Sequence, residues 1–368
     1  MSDDFKTIAF AAEVAPAKTI IPIIEKLKEL EGNGGLNWGK TRFIGLYHGE
    51  SSKDILNSVS DELYSIGEGR RGSKKTNPVK LFFYILSDIF KAIRVMRGKG
   101  IDLLITCGNA GDVRKSIIAA NFLRIPVLHI EQDIYNPIEV IGLANLVTVP
   151  SDRYVGFLKD NYGLKNVVNI NGYPMVKYTL DSLKNENVYS DFKDYVLVVL
   201  GGDIKEEDLI DLINCLEDLD STVLIAPYRF DKGLVKDLVS SDRIIVLDNY
   251  VNLPDFTYNA KVLIYAAGMG MTIEAGVLGI PSIKIEGFHK VHGSVDLAKD
   301  LNIPIVSIKD IDNNLINSLN TVNQDILIDN GFIAIDNLVS LINDFDFTLS
   351  NSGFASIRKI WNQRKKFR

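Results

Sequence analysis

Short β-branched apolar runs alternate with helix-length amphipathic stretches along the whole chain. The runs predict strands over 7–11, 42–46, 102–107, 126–130, 146–149 and 167–170. A second series follows over 195–200, 222–226, 243–247, 262–266, 282–285 and 305–307. Runs such as Val196-Leu-Val-Val199 are apolar at every position, as parallel strands covered on both faces must be. Segments 19–30, 113–123 and 206–219 carry helical periodicity between them, and regular β-α alternation reads as a doubly wound parallel sheet. Twelve strands exceed one such sheet, so two domains are expected. The polar stretch 181–194 marks the break. The boundaries are then residues 1–180 for the first domain and 181–351 for the second, with a final helix over 352–368 packing back on the first.

Composition narrows the class without changing this picture. At 368 residues, with 46% hydrophobic and 24% charged, the chain suits two ordinary globular domains. A net charge of -6 argues against general nucleic-acid binding, which needs a basic surface. Cys107 and Cys215 lie in apolar runs and fit no zinc or disulfide framework, so buried thiols in a reducing cytoplasm are expected. The start of the sequence carries no basic and then apolar signal pattern, and no run of eighteen apolar residues occurs. A cytoplasmic location is the expectation, peripheral on the inner face of the cell membrane.

In open α/β sheets ligands sit beyond the carboxyl ends of the strands, so the turns there are the candidates for chemistry. After strand 262–266 come Gly268-Met269-Gly270-Met271-Thr272, then a helix from about Met271 to Leu278, stopped by Gly279 with Pro281 beyond. Glycines at 268 and 270 allow positive φ and leave room for a ligand against the backbone. Glu274 is expected in the first helical turn, where its carboxylate suits the two hydroxyls of a ribose; the alternative is a simple helix cap. Gly201 and Gly202 follow strand 195–200 and suit a diphosphate, with Asp203 equally good as an N-cap. Asn109 lies between Gly108 and Gly111, with Asp112 as a candidate N-cap. His129, Glu131, Gln132 and Asp133 close strand 126–130; ionisable groups there are costly unless they face a ligand.

Together these turns resemble the GT-B nucleotide-sugar enzymes over nearly the whole chain. Two families come closest: the MurG-type N-acetylglucosaminyl transferases and the non-hydrolysing UDP-GlcNAc 2-epimerases. Gly270-Met-Thr272-Ile-Glu274 is similar to the transferase G-x-T-x-x-E loop with a shorter Gly-to-Thr spacing. Glu131-Gln132-Asp133 resembles their E-Q-N, and Val199-Leu-Gly-Gly202 their G-G-S. Asn171-Gly-Tyr-Pro174 resembles the G-N-P of both families, and His129-Ile-Glu131 the epimerase H-V-E. Asn109 stands where the epimerases have a catalytic Asp, and Gly201-Gly202 where they have His-Arg. The transferase loop that ends in histidine is met here by 11–17, with neither glycine nor histidine. Its D-H-Q segment is met only by Val291-His292-Gly293.

The resemblance implies an α/β GT-B architecture, two Rossmann-like domains facing a cleft. It implies an inverting transfer of a sugar, GlcNAc by preference, from UDP-GlcNAc to a lipid-linked envelope precursor, with epimerisation or mere nucleotide-sugar binding as alternatives. On that reading the donor side comprises Gly201, Gly202, Asn249, Tyr250, Val251, Gly268, Met269, Gly270, Met271, Thr272 and Glu274. Asn109, His129 and Gln132 lie on the acceptor side. Glu131, Asp133, Asp112 and Glu13 are the candidate bases. No cofactor and no metal are expected; the D-x-D at Asp344-Phe-Asp346 reads as structural.

One segment points to a further partner. Arg70, Arg71, Lys74, Lys75 and Lys80 precede an aromatic stretch with Phe82, Phe83 and Ile85, while Leu86, Ile89, Phe90 and Ile93 fit a core-facing stripe. Basic residues at an anionic leaflet contribute about 1 kcal/mol each, so this patch predicts contact with an anionic membrane surface.

Overall fold

A computed structural model of the chain describes residues 5–67, 78–183, 194–202, 204–228, 230–248, 251–287 and 291–367. It divides into two compact units. The first takes residues 1–178 and 330–366, the second 179–329 and the last two positions.

The first unit is built on seven parallel strands: β1 (Phe5–Ala11), β2 (Lys40–His48), β3 (Glu62–Gly67), β4 (Leu103–Cys107), β5 (Val127–Ile130), β6 (Leu146–Val149) and β7 (Val167–Asn169). Their order is β3-β2-β1-β4-β5-β6-β7. The order therefore reverses between β1 and β4, which pair directly, Ala11 against Thr106. Helices cover both faces. Against one face lie α3 (Pro78–Met96), α4 (Gly111–Leu123), α5 (Asp152–Tyr162) and α14 (Phe354–Phe367), through Ala92, Ile117, Tyr162 and Ile360. Against the other lie α1 (Val14–Gly32), α2 (Gly49–Asn57) and the second half of α13 (Asp325–Asn343), through Ile20, Leu56 and Leu338.

The second unit repeats the plan with six parallel strands: β8 (Val196–Val199), β9 (Val223–Ala226), β10 (Ile244–Val246), β11 (Val262–Tyr265), β12 (Ser282–Ile285) and β13 (Ile305–Val306). Their order is β10-β9-β8-β11-β12-β13, so this sheet reverses between β8 and β11. After α6 (Met175–Asp181), its helices are α7 (Leu209–Glu217), α8 (Lys232–Leu238), α9 (Leu253–Tyr258), α10 (Met269–Leu278), α11 (Gly293–Asp300) and α12 (Asn313–Ser318).

Two differences from the sequence reading have clear causes. Strand β3 went unpredicted because it is a half-buried edge strand, and Glu62-Leu-Tyr-Ser has no continuous apolar run. The return to the first unit comes at Asn330, inside α13, and not at 352. The join is tight there: a Cβ on Gly172 would lie 2.3 Å from the Asn330 carbonyl oxygen, and one on Gly331 would lie 2.5 Å from Val176. Most of the expected linker, 184–193, lies outside the described residues.

Candidate functional site

The glycine turns of the second unit meet where its sheet order reverses, the position at which open α/β sheets bind ligands. Gly201 follows β8, and Gly268 follows the neighbouring β11. A Cβ on Gly201 would lie 2.2 Å from the Ala266 carbonyl oxygen and 2.5 Å from Ala267 Cα, so only glycine lets the two turns approach. Gly268 is the N-cap of α10 at φ -82°, and Gly270 is already helical. Neither adopts positive φ, contrary to expectation: their use here is to leave room above the backbone. Gly279 does adopt the left-handed conformation, at φ 67°, and ends the helix as predicted.

Because α10 starts two residues earlier than expected, Glu274 falls in its second turn. It is 2% exposed, and so is no surface cap. Thr272 donates through Oγ1 to the Gly268 carbonyl at 3.4 Å and accepts from the Tyr265 hydroxyl at 3.2 Å, which ties the turn to β11. Met269 and Met271 are buried beneath it. Gly202 is exposed beside Gly201, and Val251 packs partly buried against the second unit's core. Asp203, Asn249 and Tyr250 lie outside the described residues.

Two further side chains lie at this turn: Lys284, which the sequence reading did not single out, and His292, met there only as the counterpart of the transferase D-H-Q. Lys284, in β12 opposite Tyr265, donates its ammonium to the Ala267 carbonyl at 2.6 Å. The ring carbon Cε1 of His292 comes within 3.7 Å of the point where a Cβ on Gly268 would sit. His292 Nδ1 accepts the Ser294 N–H at 3.0 Å as the N-cap of α11, which leaves the neutral ring's proton on Nε2. An isolated lysine in Ser282-Ile-Lys-Ile285 was the visible signal for the first.

In the first unit the reversal point carries acids. Glu13 is the N-cap of α1, after β1. Asp112 lies in the first turn of α4, after β4; Ala110, not Asp112, is the N-cap. Asp112 is buried, its Oδ1 accepts the Val113 N–H at 2.8 Å, and its Oδ2 has no hydrogen-bond partner. Burial first, and then the charge of Glu13, push its carboxyl up to about 7. Asn109 is exposed beside them and donates to the Asn136 carbonyl at 3.3 Å.

At the end of β5, His129 Nδ1 lies 2.9 Å from Thr106 Oγ1 and Nε2 lies 3.4 Å from Glu131 Oε2. Glu131 Oε1 accepts the N–H groups of Gln132 and Asp133, each at 2.9 Å. The two residues do share a direction, as the alternation predicts. Gln132 donates to Thr19 Oγ1 at 2.9 Å, and Asp133 is buried. Glu131 is thus engaged on both oxygens, with its carboxylate closing the turn that follows the strand. Asp344 and Asp346 accept from Asn37 and Thr348, a structural use. Among the described residues no three His, Cys, Asp or Glu side chains are grouped to hold a metal. Cys107 is fully buried, and burial pushes its thiol up; Cys215 is only half-buried.

The expected membrane patch is differently composed. Arg70, Arg71, Lys74 and Lys75 lie outside the described residues, as do the side chains of Lys80 and Phe82. Phe83 is 63% exposed, whereas Ile85 is half-buried. Phe90, expected in the core, is 69% exposed. Among the described residues the buried positions of α3 are Ala92 and Met96, with Ile93 packed against that core as expected and Asp88 paired with Lys115 one turn before Ala92. Phe83, Phe90, Lys91 and Arg94 are exposed. No helix among the described residues is long and apolar enough to cross a membrane.

No family model matches the chain, and no curated protein matches it in sequence. Solved structures match it over nearly its full length. The UDP-GlcNAc 2-epimerase of Methanocaldococcus jannaschii, in complex with UDP-GlcNAc and UDP, superposes with a TM-score of 0.62 at 16% identity, covering 98% of this chain and 99% of that one. The Neisseria meningitidis enzyme bound to UDP-GlcNAc gives 0.62 at 13% identity, over 99% and 98%. The UDP-N-acetylglucosamine 2-epimerase of Rickettsia bellii gives 0.67 at 14% identity, over 93% and 96%. With two parallel-sheet units of seven and six strands, the chain has the α/β fold of the GT-B nucleotide-sugar enzymes.

Proposed function

We propose that the protein is an enzyme acting on a UDP-linked N-acetylhexosamine, and that its reaction is inversion at C2 of UDP-GlcNAc. The observation that carries the nucleotide-sugar reading is the meeting of Gly201, Gly268–Gly270 and buried Glu274 where the second sheet reverses. There the amides of the α10 N-terminus suit the diphosphate and Glu274 the ribose. The likeness of the whole chain to UDP-GlcNAc 2-epimerases favours epimerisation over transfer. Inverting a carbon that bears hydrogen needs one group to take a proton and another to return one. Asp112 is the first-unit group we assign to holding that proton near neutral pH, with Glu13 beside it and Glu131 orienting His129. A MurG-like transfer to a lipid-linked acceptor is the second reading. Asn109 and Gly201-Gly202, which stand where the epimerases carry their acid and their His-Arg, favour it.

Incubation with UDP-GlcNAc alone should yield UDP-ManNAc, and Glu274→Ala should weaken UDP binding by tenfold or more. Release of UDP only when membrane lipid is added would favour transfer. Unchanged UDP affinity in the Glu274 variant would remove the donor-site assignment.

We also propose that the outward face of α3 rests on an anionic membrane surface. Phe83 and Phe90 supply the apolar contact, and Lys91 and Arg94 the charge.

A further inference from the structure

Strand β12 is buried at every position, and three of its four residues suit that setting. The fourth is Lys284, 2% exposed. A charge in the middle of a covered strand is costly unless something fixes it and uses it. Its register explains the fixing. Lys284 pairs with Tyr265 of β11, the strand that ends in the Gly268 turn. Its ammonium lies 5.3 Å from the Tyr265 ring centroid and reaches past the end of β11 to the Ala267 carbonyl oxygen, 2.6 Å away. Ala267 directly precedes the N-cap of α10, and the backbone of Ala267 would meet any Cβ on Gly201. The ammonium is therefore held at the residue that joins β11 to α10, against which Gly201 packs.

We propose that Lys284 is a positioning residue for a nucleoside diphosphate. Its charge draws the diphosphate onto the backbone amides of the Gly268–Met271 turn. This rests on the nucleotide-sugar reading and adds to it the source of positive charge at a site whose other contacts are amides. The first amides of α10 carry only partial charge, whereas a diphosphate carries two to three negative charges. A buried cation nearby acts with little screening by salt or water.

The test is calorimetric titration of the full chain with UDP and with uridine. Lys284→Met should lower UDP affinity at least tenfold while leaving uridine affinity within twofold, and Lys284→Arg should recover most of the loss. Lys284→Gln keeps a donor for the Ala267 carbonyl without the charge, so it should bind UDP as poorly as the Met variant. It also serves as the readout if the Met variant fails to fold. UDP affinity unchanged in both neutral variants overturns the role of Lys284 alone. Equal losses for UDP and uridine do so too, because they mark a disturbed turn and not a missing charge. Failure of the wild-type chain to bind either compound overturns the nucleotide-sugar reading, and this role with it.

Discussion

Asp112 is placed where burial and a neighbouring acid act in the same direction on its proton. Its carboxyl rises from the ordinary 3.8 to about 7, so between those values the folded chain holds a proton that the unfolded chain has released. Stability must then fall as pH rises through that window. Asp112→Asn is expected to stabilise the chain at pH 8 by up to about 4 kcal/mol, at about 1.4 kcal/mol per pKa unit, read as a higher melting temperature. The gain should shrink as pH falls toward 4 and vanish below it, where the wild-type carboxyl is protonated in both states. An equal gain at both pH values would mean that Asp112 does not titrate there. The same substitution should abolish turnover if Asp112 carries the proton, with UDP affinity untouched. The sequence offered Asp112 both as an N-cap and as one of four candidate bases, without a way to choose. Only the third dimension buries it and brings Glu13 of another turn beside it. Lys284 was hidden for the same reason: its meaning depends on the strand next to it.

At the scale of elements the sequence was far more readable, because parallel strands covered on both faces announce themselves as unbroken apolar runs. Twelve of the thirteen strands among the described residues were readable from largely apolar runs, and β3 escaped because Glu62-Leu-Tyr-Ser on the sheet edge has no such run. The stop of α10 at Gly279 was equally plain. Its start was not, since Gly268-Met-Gly270 carries no cap signal. Helix α3 shows a different failure. Periodicity placed Phe90 inward, but Asp88 pairs with Lys115 and Phe90, two residues on, stands exposed. The glycine turns offer a direct check of the element-level geometry. Gly201→Ala drives a methyl against the Ala266 and Ala267 backbone, which cannot yield as a side chain would. It should destabilise the chain by about 1–3 kcal/mol, in the range of overpacked sites, and lower UDP affinity with it. Gly268→Ala meets nothing closer than 3.7 Å and should melt within about 1 kcal/mol of wild type. Thermal melts in which the two variants behave alike would contradict the packing of β8 against β11.

Over the whole molecule, charge is unevenly laid out. The chain carries -6, yet on α3 and α14, on the same face of the first sheet, the exposed charged side chains among the described residues are all basic. The one acid of α3 is paired inward with Lys115, and α14 has none. Phe354 and Trp361 stand exposed on α14 among Arg358 and Lys359. Co-sedimentation with vesicles should therefore require anionic lipid, weaken in high salt, and drop at least tenfold on Phe90→Glu. Binding indifferent to lipid charge would count against the membrane face.

The division of the chain has a consequence for how it is made. The second unit, 179–329, interrupts the first, whose remaining part, 330–366, supplies Ala334, Leu338, Ile342 and Ile360 to the cores on the two faces of one sheet. During synthesis the first sheet emerges early but stays uncovered in part until these residues leave the ribosome. The contiguous second unit can close first. The unit that begins the chain is thus the last to finish, and a nascent chain halted near residue 329 holds a complete insert inside an unfinished host.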